Sequence, residues 1–155
     1  MIYYGIDAGS SGGLARIVDE NIKLWSFEDH TIPEMVGLFH LVFQDQDLSA
    51  ARKVMLEKLQ PLPSFLRGGR ASWVLAQSYA TIKTLLSVHN MAYEEVRPAI
   101  WQKEFGLVVK KSKKRIDKKK LNREKAQALF PGIMGITLAT SDALLIAEYN
   151  RRTHK

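Results

Sequence analysis

Met1 to Leu14 reads MIYYGIDAGSSGGL, an apolar, aromatic-rich run that reaches an aspartate and then a glycine-serine turn. Isoleucine and tyrosine favour a pleated strand, and Gly9, Gly12 and Gly13 allow a tight reversal after it. Asp7 therefore ends a strand expected to be central. A carboxylate there is costly to desolvate unless something meets it. Two partners suit it: the backbone N–H groups of the following turn, or a divalent metal. Working outward, Leu14 to Val18 and Ile22 to Phe27 read as two more short strands, with Asp19-Glu20-Asn21 between them. A three-stranded antiparallel meander results.

The chain has 155 residues and no cysteine. That length suits one domain, residues 1–155, with a sizeable core and no room for a second catalytic lobe. Without cysteine, disulfides and thiolate zinc sites are excluded. No apolar run reaches membrane-spanning length, and the amino terminus lacks the pattern of a signal peptide. A cytoplasmic, unexported protein with no membrane partner is expected. The formal charge of +7 is concentrated between Lys110 and Lys125, which points to a polyanion, nucleic acid before membrane.

Further along, Thr31-Ile32-Pro33-Glu34 has the cap, the first-turn proline and the glutamate of a helix start. Met35, Leu38, Phe39 and Val42 should face inward from it. Ala51 to Glu57 enters the sheet as the unalternated run Val54-Met55-Leu56, the pattern of a strand covered on both faces. Gln60 to Arg70, with two prolines and two glycines, reads as an irregular loop. Ser72 is expected to cap a long helix carrying Leu75, Tyr79, Ile82, Leu85 and Leu86 on one stripe, closed by Asn90. Ala92 to Val96 is a fifth strand, and Pro98 opens a short helix through Phe105. Lys110 to Lys120 has eight lysines and arginines in eleven residues and is expected to stay solvated. Helices from Asn122 to Phe130 and from Leu138 to Arg152 complete the chain.

On the last helix, Asp142 shares a helical phase with Leu138, Leu145, Ile146 and Tyr149, so the acid falls on the buried stripe. It is either a first-turn residue satisfied by backbone amides, or it converges with Asp7 and Glu57. Three acids crowded in a poorly solvated place would repel one another and take up protons unless cations joined them. Two divalent ions about 3.5 to 4 Å apart would turn such a cluster into a clamp on the attacking water and leaving oxygen of a phosphodiester. Magnesium suits oxygen-only ligands, and Mn²⁺ can substitute. His30, His40, His89 and His154 are scattered and read as surface or packing residues.

Taken in order, GIDAGSSGGLA, VMLEKLQPLPSF, GRASW, RPAIWQKEFGL, a lysine-rich segment, REKAQALFP and SDALLIAEY resemble the RuvC-like Holliday-junction resolvases, most closely the chloroplast branch. The likeness runs from Met1 to about Tyr149. It implies an α/β, RNase H-like fold: a five-stranded mixed sheet, its first three strands antiparallel, flanked by helices. It also implies a homodimer in a bacterial or phage-infected cell that cuts two opposed strands of a four-way DNA junction, with two Mg²⁺ ions per active site. The catalytic and metal-holding acids of the family fall on Asp7, Glu57 and Asp142. A further family acid, about one turn before the last of these, has no counterpart, since position 139 is alanine. Asp117, Ser141 or water is left to fill that role; Glu148 points elsewhere around the helix.

The same resemblance makes Gln60 to Arg70 a junction-entering loop. Gln60 lies at its start, Leu62 and Phe65 are suited to wedge between bases, and Arg67 and Arg70 to hold phosphate or a guanine edge. Lys110, Lys111, Lys113, Lys114, Arg115, Lys118, Lys119 and Lys120 would supply phosphate contacts. One lysine near the metals would stabilise charge on the cleaved phosphate. Trp73 and Trp101 read as core or dimer-interface aromatics. Two rivals remain: a catalytically inactive DNA-binding module, and a phosphotransferase, since D-A-G-S-S-G also resembles the phosphate loop of sugar-kinase and actin-like ATPases.

Overall fold

A computed structural model describes residues 1–44, 50–59, 69–107 and 115–154 of the chain. Along the sequence these form β1 (Ile2–Asp7), β2 (Gly13–Val18), β3 (Asn21–Ser26), α1 (Ile32–Phe43), β4 (Arg52–Glu57), α2 (Gly69–Val88), β5 (Tyr93–Val96), α3 (Pro98–Glu104), α4 (Arg115–Leu129) and α5 (Ser141–Thr153). The strands make one sheet in the order β3-β2-β1-β4-β5. The pairs β1–β2 and β2–β3 are antiparallel, whereas β1–β4 and β4–β5 are parallel. This is the mixed, RNase H-like sheet with flanking helices that the strand pattern and the resemblance led us to expect.

Every residue of β1 is buried, as befits a central strand covered on both faces. On one face Tyr4, Ile6, Leu14 and Leu56 pack with Phe39 of α1 and Ile82 and Leu86 of α2. Tyr3, Ala15, Ile17 and Met55 meet Trp101 of α3 and Leu145 and Ile146 of α5 on the other. Each fully buried aliphatic side chain contributes about 1.5–3 kcal/mol. The register sets Ile6 opposite Leu56, so Asp7 and Glu57 are the next residues at the ends of neighbouring parallel strands. Because side chains alternate along a strand, both acids turn to the face covered by α5, away from Ile6 and Leu56.

Gly5 explains how closely α5 approaches. A Cβ added there would lie 2.2 Å from the Ala147 nitrogen and 2.3 Å from the Ala143 carbonyl oxygen. Only glycine on the strand, facing small residues on the helix, permits that contact. At the far end, the Asn150 amide donates to the carbonyls of Tyr4 and Lys53, both at 2.9 Å, tying α5 to β1 and β4 together.

Several boundaries differ from the sequence expectation. Helix α2 begins at Gly69, so Ser72 is internal rather than a cap, and Arg70 is an exposed helical residue rather than part of the loop. Helix α4 begins at Arg115, so the second half of the basic run is helical and not an unstructured solvated stretch. Helix α5 begins at Ser141, not Leu138: Thr140 stands at the N-cap position without a side-chain capping bond, its hydroxyl being turned to the preceding turn, where it donates to the Gly135 carbonyl at 2.6 Å. Capping at Thr31 follows expectation: Glu34 accepts from the Thr31 N–H at 2.7 Å. Trp101 is fully buried, but Trp73 is 71% exposed and is no core residue. Among the described residues no helix is long and apolar enough to cross a membrane.

Candidate active site

Three elements bring acids to one edge of the sheet. Asp7 ends β1, Glu57 ends β4, and Asp142 stands in the first turn of α5, which the Gly5 contact presses onto β1. Asp7 is 9% exposed and Asp142 6%. The turn after Asp7 is tight. Gly9 N–H donates to Asp7 Oδ1 at 3.2 Å and Gly12 N–H to the Gly9 carbonyl at 2.9 Å, while a Cβ on Gly12 would lie 2.2 Å from the Asp7 carbonyl oxygen. Helix α2 braces the turn from the other side, since the Ser78 hydroxyl donates to the Ala8 carbonyl at 2.9 Å.

The fourth contributor is α4. Lys119 Nζ lies 3.3 Å from Asp7 Oδ2, 3.4 Å from Asp142 Oδ2 and 3.5 Å from the Leu138 carbonyl oxygen. Asn122, one turn later and buried, donates from Nδ2 to Asp142 Oδ1 at 2.9 Å. Asp142 is thus a first-turn acid whose oxygens are met by side chains of α4.

Charge and burial act together here. Glu57 is pushed well above the ordinary carboxylate range, first by desolvation and then by the negative charges of Asp7 and Asp142, with Lys119 opposing. Asp142 is raised for the same two reasons, desolvation first and the Asp7 charge second. Burial of Lys119 works against its charge, but the charges of Asp7 and Asp142 outweigh that, so its pKa is raised and it stays an ammonium. Among the described residues the cluster is short of positive charge: one ammonium serves three acids, and Glu57 answers by favouring its proton.

That shortage is the test of whether a divalent ion fits. The donor set is all oxygen, the ligand chemistry of a hard cation such as Mg²⁺. As the side chains stand, no group of three or more His, Cys, Asp or Glu among the described residues is gathered tightly enough to hold a metal ion. The ammonium of Lys119 takes the space between Asp7 and Asp142, where a positive charge is wanted. Asp7, Glu57 and Asp142 fit the group chemically once that ammonium withdraws.

Other residues singled out in the sequence are placed as follows. Lys118 and Lys120 reach solvent, whereas Lys119 is turned inward onto Asp7 and Asp142. Arg115 opens α4, and its side chain is not described. Gln60, Leu62, Phe65, Arg67, Lys110, Lys111, Lys113 and Lys114 lie outside the described residues. Ala139 is buried, Asp117 is exposed, and the buried Ser141 hydroxyl has no hydrogen-bond partner among the described residues. Glu148 is held by Arg151 at 2.7 Å and Arg152 at 2.9 Å, facing away from the acids. The sequence reading missed Asn122 as a site residue and did not single out Lys119 from its neighbours. Their signal is the stripe Lys119, Asn122, Ala126, Leu129 at helical spacing, visible only if the helix is allowed to start inside the lysine run.

No protein-family model and no curated protein matches the sequence. Solved structures do match. A Thermus thermophilus RuvC in complex with a Holliday junction substrate superposes with a TM-score of 0.62 at 13% identity, covering 99% of this chain and 97% of that one. A second Thermus thermophilus RuvC structure gives 0.57 at 14% identity, covering 99% and 96%. At these identities the likeness is one of fold, and it spans nearly the whole chain.

Proposed function

We propose that the protein is a structure-selective endonuclease that resolves four-way DNA junctions by paired, Mg²⁺-dependent hydrolysis of phosphodiesters. The observation that carries this reading is the ammonium of Lys119 set between the buried acids Asp7 and Asp142 beside Glu57, at the C-terminal ends of two central parallel strands. Such a cluster is unstable to its own charge and suits chemistry that brings cations and phosphate together. The match to a RuvC bound to a Holliday junction supports the choice of substrate.

Asp7, Glu57 and Asp142 would hold the metal. Two divalent ions, Mg²⁺ or Mn²⁺, would when bound supply Lewis-acid activation of the attacking water and stabilisation of the leaving oxygen. Lys119, freed from the acids, reaches the scissile phosphate and offsets the negative charge that develops on it. Lys118 and Lys120 on α4 and Arg70 at the start of α2 reach solvent and would hold flanking phosphates, with the basic residues from Lys110 to Arg115 joining them. The stretch from Gln60 to Arg70, which comes after β4 in the sequence, would supply junction contacts, with Leu62 and Phe65 as wedges between bases.

Paired cuts need two active sites. Helix α2 exposes Trp73, Val74, Ala76 and Ala80, and carries no acidic residue. That face is the surface through which two copies associate as a homodimer.

The test is incubation with a mobile four-way junction labelled on each strand. Symmetric paired nicks that require Mg²⁺ and are absent on linear duplex support the reading. Junction binding with no cutting at any Mg²⁺ concentration reduces the protein to a binding module.

A further inference from the structure

Both oxygens of Asp142 are engaged by α4, but by groups of different kinds. Oδ1 accepts from the Asn122 amide at 2.9 Å, while Oδ2 faces the Lys119 ammonium at 3.4 Å. Asn122 is 5% exposed, so its amide cannot leave Oδ1 without stranding a polar group away from water. Lys119 sits on a flexible four-carbon stem whose side chain is 20% exposed, and it can withdraw toward solvent. Oδ2 is therefore the one oxygen of Asp142 that can be surrendered to an incoming ion.

We propose that Asn122 is a positioning residue that sets the metal preference of the site, by holding one oxygen of Asp142 and leaving the other turned toward Asp7. This inference rests on the proposed function. A carboxylate with one free oxygen offers a single bond, whereas one with both free can chelate. Mg²⁺ demands near-octahedral geometry and suits single bonds; Ca²⁺ accepts six to eight oxygens and carboxylates that bind through both. An amide that denies chelation at Asp142 favours the smaller ion.

Calorimetric titration of Mg²⁺ and of Ca²⁺ into the wild-type protein, Asn122→Ala and the nearly isosteric Asn122→Leu tests this. Metal-free junction binding and melting temperature serve as checks on folding. Both variants should lose about tenfold or more in Mg²⁺ affinity, the scale seen when a partner of a metal ligand is removed. Ca²⁺ affinity should hold or rise, so that the ratio of the two shifts toward Ca²⁺. Equal losses for both ions, or no change in either, overturn the inference. Asp7→Asn separates the two levels of the argument. If the wild type shows no ion binding that depends on Asp7, the metal site and the inference fall together; Asp7-dependent binding with an unchanged ratio removes the inference alone.

Discussion

Helices α4 and α5 both aim side chains at the same acids, yet they are built in opposite ways. Every residue of α5 from Ser141 to Glu148 is buried, and the helix is pressed onto β1 through Gly5, Ala143 and Ala147. On α4, by contrast, only Asn122 and Ala126 are buried among the described side chains. One helix is fixed by backbone-to-backbone packing, which tolerates no change of distance. The other is tethered by an amide, an ammonium and the apolar contacts of Ala126 and the half-buried Leu129. The difference assigns roles within the proposed function: α5 and the strand ends fix the acids, and α4 supplies an adjustable positive charge that would give way to metal and phosphate.

Several substitutions would break or sharpen that contrast. Asp7→Asn attacks the fixed side and should abolish cutting of a junction. Binding should be intact or tighter, since removing a negative charge cannot weaken attraction to DNA by Coulomb terms alone; measurable cutting by the folded variant would count against the site. Lys119→Met attacks the adjustable side. Single-turnover cutting should fall about 10²–10³-fold, the scale for removing a preorganised group that meets developing charge. Mg²⁺ affinity should rise in the same variant, because no ammonium competes for the acids, and a parallel fall in both would contradict the role given to Lys119.

Packing gives the next contrast. Gly5→Ala forces a methyl group into the backbone of α5 and should cost about 3 kcal/mol or more in chemical denaturation. Lys125→Ala, on the outer side of α4, should stay within about 0.5 kcal/mol.

The smallest effect is in pH. Glu57 has its folded pKa raised above the ordinary value of 4.5, so between that value and its folded pKa the native state binds more protons than the unfolded one. Stability without metal should therefore fall as pH rises through this window, and level off above it. Glu57→Gln should flatten that slope in melting curves recorded in EDTA. A slope left unchanged would place its origin elsewhere.

How much of this was legible in the sequence depends on the range of the interaction. Asp7, Glu57 and Asp142 could be picked out because each sits where a local pattern makes a charge conspicuous: after an unbroken apolar run or within a buried stripe. The meander, the parallel strands and α1 carried equally local signals, among them Thr31 with Glu34. The start of α4 was not legible. A run such as KKRIDKKK has no apolar face of its own, and its helix forms because Lys119 and Asn122 find buried partners on β1 and α5. Those partners are 112 and 20 residues away in sequence, and no periodicity reports them. Likewise α5 was expected to start at Leu138, since Thr137 and Thr140 bond to each other's backbone and hydroxyl groups in a turn that the apolar pattern conceals.

Crystals of the protein soaked in Mn²⁺ and measured for anomalous scattering bear most directly on the central claim. The expected result is manganese bound among Asp7, Glu57 and Asp142, with the Lys119 ammonium moved out from between the two aspartates. Manganese found only elsewhere on the surface, with Lys119 still bridging Asp7 and Asp142, would contradict it.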